Sequence, residues 1–138
     1  MAERLLLDTC AIIWMAHDEP IALEARKELV KTRRAGGLIA VSAMSAWEIG
    51  MLVARGRLPT TKTALVWFED FVERGRVTIE DATPEVLIAS SYLPGPIHND
   101  PTDRIIVATA REHDLTIITR DRAILAYGAA GHVKVLAC

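Results

Sequence analysis

Residues 98–121 read HNDPTDRIIVATAREHDLTIITRD, and they predict a loop, a helix, a turn and a buried strand in that order. The segment Asp100–Asp103 (DPTD) has the form of a helix start, with a capping acid, a proline at the first helical position and a second acid three residues after the cap. The run Leu115–Ile118 is apolar and β-branched, which is typical of a strand inside a parallel sheet. The stretch therefore predicts Asp103 at the start of a helix and Asp121 just past the carboxyl end of a strand. Open α/β folds bind their ligands at that edge of the sheet.

Outside this stretch, short apolar runs alternate with segments of helical composition. The predicted strands are Arg4–Leu7, Leu38–Val41, Val77–Ile79, Leu115–Ile118 and Val133–Leu136. The predicted helices between them include Thr9–Ala16, Ile21–Arg34, Ser42–Arg55 and Thr61–Arg74, the last capped by Thr60 or Thr61. Alternation of this kind indicates right-handed βαβ units and a parallel sheet covered by helices on both faces. We therefore expect a single α/β domain over residues 1–138.

Composition excludes several classes of protein. Of the 138 residues 51% are hydrophobic, which allows a real core and argues against disorder. No apolar run approaches the roughly 18 residues that cross a bilayer, and the first residues predict no signal peptide. Cys10 and Cys138 form no metal-binding spacing, so we expect a reduced, cytoplasmic protein in which Cys10 is a small buried residue. The net charge of −2 means that any nucleic-acid binding needs a local basic patch.

Four acids are candidate site residues, and each also has a structural interpretation. Asp8 could cap the helix that follows it, and Asp121 could cap a short helix after the fourth strand. Glu48 could close a capping box with Ser45, and Asp103 could close the box begun by the cap before it. Taken singly, the structural and functional interpretations are about equally good.

The positions of the four acids in the predicted fold favour a shared function. Asp8 and Asp121 follow strand carboxyl ends, Asp103 begins a helix entered from the same edge, and Glu48 lies in the first turns of a helix that leaves it. Four clustered carboxylates would repel one another and bind protons more tightly unless a cation neutralised them. Sites built from oxygen ligands suit Mg²⁺ or Mn²⁺, which can activate water and hold a phosphate oxygen. The pattern therefore predicts phosphodiester hydrolysis that needs no Ser, His or Cys nucleophile.

Residues beside these acids have supporting roles in the prediction. Asp100 is favoured as a helix cap over a direct metal ligand, because the local sequence is that of a helix start. Thr9 and Thr119 either orient water and phosphate or serve in plain turns. Arg104 is interpreted as a salt-bridge or orienting partner of the neighbouring acid, and His98 as a loop residue near the site without a catalytic role.

Four motifs spread over almost the whole chain carry a family resemblance. They are Leu5–Thr9 (LLLDT), Ser45–Ile49 (SAWEI), His98–Arg104 (HNDPTDR) and Thr119–Asp121 (TRD). In this order and in a chain of this length, they resemble the PIN-domain nucleases, and specifically the VapC-type toxins of toxin–antitoxin pairs. A strand that ends in Asp-Thr is a weak signal alone, whereas the four motifs together are a specific one.

The resemblance implies a three-layer α/β/α fold with a five-stranded parallel sheet and an acidic, Mg²⁺- or Mn²⁺-dependent site that cleaves RNA. It assigns both catalysis and metal binding to Asp8, Glu48, Asp103 and Asp121, with Asp100 as a nearby extra acid. It also implies a homodimer and a small VapB-like antitoxin whose tail lies in or near the cleft. Asp100 could be taken as the third acid of the pattern, but the register of the residues that follow favours Asp103.

Two surface features suggest where partners bind. The predicted helix Ser42–Arg55 is apolar on nearly every side, so Met44, Trp47, Met51 and Leu52 face either a partner or the helix Thr61–Arg74. The basic clusters Lys31-Arg33-Arg34 and Arg55-Arg57 are candidates for RNA binding, although such clusters are more often solvated faces.

Two other functions compete with a toxin nuclease. One is a PIN-domain nuclease that processes RNA without a toxin role, against which the short chain argues. The other is a signalling module on a phospho-acceptor α/β scaffold, which would want a second acid two residues after Asp8, where Cys10 stands. The sequence therefore favours a metal-dependent endoribonuclease.

Overall fold

A computed structural model of the chain describes residues 3–138, which form five strands and seven helices. The predicted α/β fold is confirmed: all five strands are parallel, in the order β3-β2-β1-β4-β5. The strands are β1 Arg4–Leu7, β2 Leu38–Ser42, β3 Thr78–Glu80, β4 Thr116–Thr119 and β5 Lys134–Ala137. The helices are α1 Thr9–Ala16, α2 Leu23–Arg34, α3 Ala43–Ala54, α4 Ala64–Gly75, α5 Pro84–Ala89, α6 Pro101–His113 and α7 Arg122–Ala129.

The central strand β1 is buried on both faces of the sheet. Leu5 and Leu7 pack into one apolar cluster with residues of α1, α2, α3 and α4. Leu6, which points the other way, packs with residues of α6 and α7. This alternation follows from the two-residue period of a strand, and it explains why β1 is continuously apolar. The sheet is therefore covered by helices on both faces.

Two predicted helix starts are displaced from their observed positions. The second helix begins at Leu23 rather than Ile21, without a side-chain cap. The fourth helix is capped by Thr63, whose hydroxyl accepts a hydrogen bond from Val66 N–H, and not by Thr60 or Thr61. The hydroxyl of Thr60 instead accepts from Lys62 N–H, which closes a local turn before the helix. Hydroxyl side chains can satisfy either arrangement, so local sequence does not choose between them.

The apolar helix α3 is largely covered within the chain. Met44 packs against a cluster formed by α5 and α6, and Leu52 packs against the cluster on the α1 side of the sheet. Helix α4 also lies against α3. Met44 and Leu52 are thus partly covered by neighbouring helices, which for these two favours the alternative of cover within the chain. Trp47 differs from them, because it remains 54% exposed.

The placement of the strand ends positions the site. Strands β1, β2 and β4 all end at one edge of the sheet, and α6 starts at that edge because it leads into the opposite end of β4.

Across residues 3–138, none of the helices combines the length and apolar character that a membrane span requires.

Candidate functional site

The structure brings all four predicted acids to a single cleft at the carboxyl edge of the sheet. Asp8, Glu48, Asp103 and Asp121 line this cleft, whose volume is about 410 Å³. Asp8 follows β1, Asp121 follows β4, Glu48 lies in the second turn of α3, and Asp103 lies in the first turn of α6. Residues 113 positions apart in the sequence thus face one another because parallel strands align their ends.

Asp8 is held by hydrogen bonds on both carboxylate oxygens. Oδ1 accepts from the N–H of Thr9 at 2.8 Å, so Asp8 also caps α1. Oδ2 accepts from the Thr119 hydroxyl at 2.6 Å and from the Cys10 thiol at 3.4 Å. Burial raises the pKa of Asp8, and these three donors oppose the rise. The carboxylate is therefore fixed in position at the base of the cleft.

The Thr119 hydroxyl connects the two acids that follow strand ends. While it donates to Asp8, it accepts a hydrogen bond from the N–H of Asp121 at 2.9 Å. Asp121 in turn caps α7, because its Oδ1 accepts from Ile124 N–H at 2.9 Å. Asp121 therefore both caps α7 and lines the cleft. Thr119, which is fully buried, sets the relative position of the two carboxylates.

Glu48 takes no part in a capping box. Ser42 caps α3 by accepting from Met44 N–H, and the Ser45 hydroxyl is engaged at 2.9 Å by the hydroxyl of Thr9. The structural interpretation of Glu48 as a box partner of Ser45 is therefore wrong. Burial is the main cause of its raised pKa, to which the charges of other acids add, while the Thr9 hydroxyl lowers it.

The carboxyl of Asp103 has a pKa far above its ordinary value. Burial, followed by the charges of Asp121, Asp8 and Asp100, raises its pKa to about 7. His98 opposes this rise, and its Nε2 lies 3.0 Å from Asp103 Oδ2. Burial and the neighbouring acids therefore disfavour the ionised form of this carboxyl.

Asp100 and Arg104 hold the loop that enters α6. Asp100 caps the helix, with its Oδ1 accepting from the N–H of Asp103 at 3.2 Å, and its exposed side chain also lines the cleft. The guanidinium of Arg104 donates to the backbone carbonyls of Ser90, Ile97 and His98. Among residues 3–138 it forms no ion pair within 4 Å, so its predicted role as a salt-bridge partner of Asp103 is wrong. Its contacts hold the loop before α6 and do not orient the Asp103 side chain directly.

Three residues gain importance that sequence reasoning did not give them. His98 lies two residues before the helix cap, and its imidazole reaches the carboxylate of Asp103 in the first turn of α6. The Arg120 guanidinium stacks on Trp14, 3.6 Å from the ring centroid, at the rim of the cleft. Cys10 contacts Asp8, but burial raises the pKa of its thiol to about 12. A thiol with that pKa stays protonated and is a poor nucleophile.

The two predicted basic clusters lie in different places. Lys31-Arg33-Arg34 ends α2 at the amino edge of the sheet, opposite the cleft, and Arg33 donates to the carbonyl of Arg76 at 3.0 Å. Arg55 and Arg57 instead line a groove beside the acid cleft. Only the second cluster is therefore near the candidate site.

The donors in the cleft fit a divalent cation. Among the described residues, one ligand atom each from His98, Asp103 and Asp121 lies within 4.8 Å of the other two. Asp8 and Glu48 line the same cleft outside this group of three. Oxygen-rich donor sets suit Mg²⁺ and Mn²⁺.

Comparison with known proteins agrees with this geometry. The PIN domain family matches residues 5–129. Ribonuclease VapC22 of Mycobacterium tuberculosis is 30% identical over 121 residues, which cover 87% of this chain and 88% of that protein.

Solved structures share the fold. VapBC2 of Rickettsia felis, crystallised with a promoter DNA fragment, superposes with a TM-score of 0.69 at 15% identity, covering 96% of this chain and 97% of that one. VapBC-5 of Mycobacterium tuberculosis, a member of the VapBC family of toxin–antitoxin systems, gives 0.59 at 19% identity, covering 97% and 98%. Together with the four motifs in their predicted order, the family match establishes that this chain belongs to the PIN domain family.

Proposed function

We propose that this chain is a divalent-metal-dependent endoribonuclease that acts as the toxin of a toxin–antitoxin pair. The observation that carries the proposal is the convergence of Asp8, Glu48, Asp103 and Asp121 on one cleft. Burial, together with repulsion from neighbouring acids, destabilises the ionised forms of Asp8, Glu48 and Asp103, and a bound cation would relieve both effects. RNA as the substrate is supported by the mycobacterial relative, which is named a ribonuclease.

In this proposal Asp8, Asp103 and Asp121 hold the cation, with Glu48 and His98 as further ligands. Bound there, Mg²⁺ or Mn²⁺ would supply charge for the phosphate and a lowered pKa for an attacking water. Thr119 holds Asp8 and the backbone of Asp121 in register, and the N–H of Thr9 fixes the second oxygen of Asp8. Asp100 and Arg104 hold the loop that carries His98 near Asp103.

Glu48 is suited to a second task in the same cleft. Its half-buried carboxylate lines the cleft together with Asp8, where a water held by the cation would also lie. We propose that it accepts a proton from the water that attacks the phosphodiester. No serine, cysteine or histidine nucleophile is needed in this scheme, and the raised pKa of Cys10 makes its thiol unsuited to that role.

The proposal extends to partners and location. Two of the structural neighbours are VapBC complexes, which supports a small antitoxin as partner. Exposed apolar side chains such as Leu65 (67%), Ile88 (62%) and Tyr92 (80%) supply surface for a homodimer or for the antitoxin. We place the protein in the cytoplasm with its RNA. Light scattering of the purified chain tests the dimer, and a purely monomeric species would contradict it.

The function is tested with purified protein, labelled RNA, and either Mg²⁺, Mn²⁺ or EDTA. The parent should cut RNA only with metal. Asp8→Asn, Glu48→Gln, Asp103→Asn and Asp121→Asn should each lose about a hundredfold or more, since changes to groups that merely support metal ligands already cost up to about that much.

Asp81→Asn provides the matched control. Asp81 also follows the end of a strand, but that strand is β3 at the margin of the sheet, and the residue is exposed outside the cleft. Its substitution should leave cleavage unchanged. RNA cleavage that persists in EDTA, or that survives Asp8→Asn undiminished, would contradict the proposal.

A further inference from the structure

A second groove adjoins the acid cleft and shares a wall with it. Glu48, Leu52 and Asp100 line both spaces. The second groove has a volume of about 370 Å³, and its remaining lining residues are Trp47, Met51, Arg55, Arg57, Pro101 and Thr102. A strand of nucleic acid whose phosphate sat in the acid cleft would therefore find an open path along this groove.

The charges of the groove suit a polyanion. Arg55 and Arg57 lie at the end of α3, and both side chains are exposed. Within residues 3–138 neither guanidinium has an acidic partner within 4 Å or a hydrogen bond to another residue. Two unpaired guanidinium groups beside a cleft of acids supply positive charge for the phosphates next to the one being cut.

Trp47 gives the groove a flat apolar face. It is 54% exposed, although the rest of α3 is largely covered by neighbouring helices. Aromatic rings that alternate with arginines form the usual surface for single-stranded nucleic acid, because every base has a face that can stack. An exposed indole ring beside two arginines offers a face on which a base can stack.

We infer that this groove, formed by Trp47, Arg55 and Arg57, binds the segment of single-stranded RNA that adjoins the scissile phosphate. The two arginines contact its phosphates, and Trp47 stacks on one base. The inference rests on the proposed ribonuclease function, and it assigns to the site a preference for unpaired RNA.

The charge part of the inference is tested with Arg55→Gln/Arg57→Gln in an Asp8→Asn background, which binds RNA without cutting it. The probe is a labelled single-stranded RNA of mixed sequence, titrated at several salt concentrations. The slope of log affinity against log salt should flatten by about 1.4, because each lost phosphate contact on a single strand contributes about 0.7. Arg55 caps α3 through its backbone N–H, so the helix end survives the substitution.

Lys31→Gln/Arg34→Gln is the matched control, since it removes two positive charges at the opposite edge of the sheet. It should leave the slope almost unchanged. Equal flattening by both double variants, or flattening by neither, would overturn the inference.

The stacking part is tested with a pair of variants at Trp47. Trp47→Tyr keeps an aromatic face and should bind RNA within about threefold of the parent, whereas Trp47→Leu keeps apolar area without a ring and should bind about tenfold more weakly. Equal RNA binding by both variants, with loss of a co-expressed protein partner, would assign the groove to that partner and overturn the inference. RNA cleavage by the otherwise native chain is measured in parallel, so a protein that cuts RNA with an inert groove is distinguished from one that does not cut RNA at all.

Discussion

The two halves of the acid cleft are built in different ways. On the sheet side, Asp8 receives hydrogen bonds from Thr9, Cys10 and Thr119, which offset part of the cost of its burial. On the helix side, Asp103 has His98 as its neighbour and is acted on by the charges of the other acids. The sheet half is therefore organised before any ligand binds. The helix half carries a carboxyl whose ionised form burial and its acidic neighbours disfavour in spite of His98, and a bound cation would stabilise that form.

Of the variants that test this comparison, the largest loss of RNA cleavage is expected when the hydrogen bonds that hold Asp8 and Asp121 are removed. Thr119→Val keeps the shape of the side chain but removes the hydroxyl that donates to Asp8 and accepts from Asp121 N–H. RNA cleavage should fall by roughly 10- to 100-fold, as for other residues that orient metal ligands. Activity at several Mn²⁺ concentrations measures the loss.

Thr109→Val is the control for that change. Thr109 is also fully buried, but its hydroxyl donates to the carbonyl of Ile105 within its own helix and lies outside the cleft lining. Its substitution should leave cleavage within about twofold of the parent. If both threonine variants lost activity equally, the organising role of Thr119 would be wrong.

A smaller effect on RNA cleavage is expected from a change at Asp100, which caps α6 and also lines the cleft. Asn is as good a cap as Asp, so Asp100→Asn keeps the bond to Asp103 N–H while it removes a charge. Cleavage should change by less than about threefold, and the melting temperature should stay the same. A loss as large as that of Asp103→Asn would make Asp100 a metal ligand. An inactive Asp100→Asn beside an active Asp103→Asn would show that the third acid of the pattern had been assigned to the wrong residue.

The sequence predicted those elements whose formation depends on neighbouring residues in the chain, such as apolar strands and capped helix starts. β1 is a continuous apolar run and is central, and the DPTD segment starts α6 with Asp100 as its cap. The order of strand ends and helix starts was enough to bring Asp8 and Asp121 to one edge of the sheet, because parallel strands share that edge.

What sequence did not predict depends on contacts between distant segments. Three threonines near α4 have equal capping chemistry, and only the packed structure selects Thr63. The pair formed by His98 and Asp103 depends on the path of a loop that Arg104 holds through backbone carbonyls. The separate positions of the two basic clusters depend on how the helices pack, since α2 leads into the start of β2 whereas Arg55 and Arg57 line a groove beside the cleft. A charge pattern alone carries no such information.

The central claim is that the four acids share one cation, and thermal unfolding of the parent and Asp103→Asn tests it most directly. Because folding raises the pKa of Asp103 from 3.8 to about 7, the folded state loses stability relative to the unfolded state as the pH rises through that window. In EDTA at pH 8, Asp103→Asn should therefore melt a few degrees above the parent, and the difference should vanish near pH 4. Millimolar Mn²⁺ should reverse the order, since a ligand that binds only the folded state adds about 2.7 kcal/mol at 100 times its Kd. An Asp103→Asn variant that melts below the parent in EDTA at pH 8, or equal Mn²⁺ shifts in both proteins, would contradict the shared site.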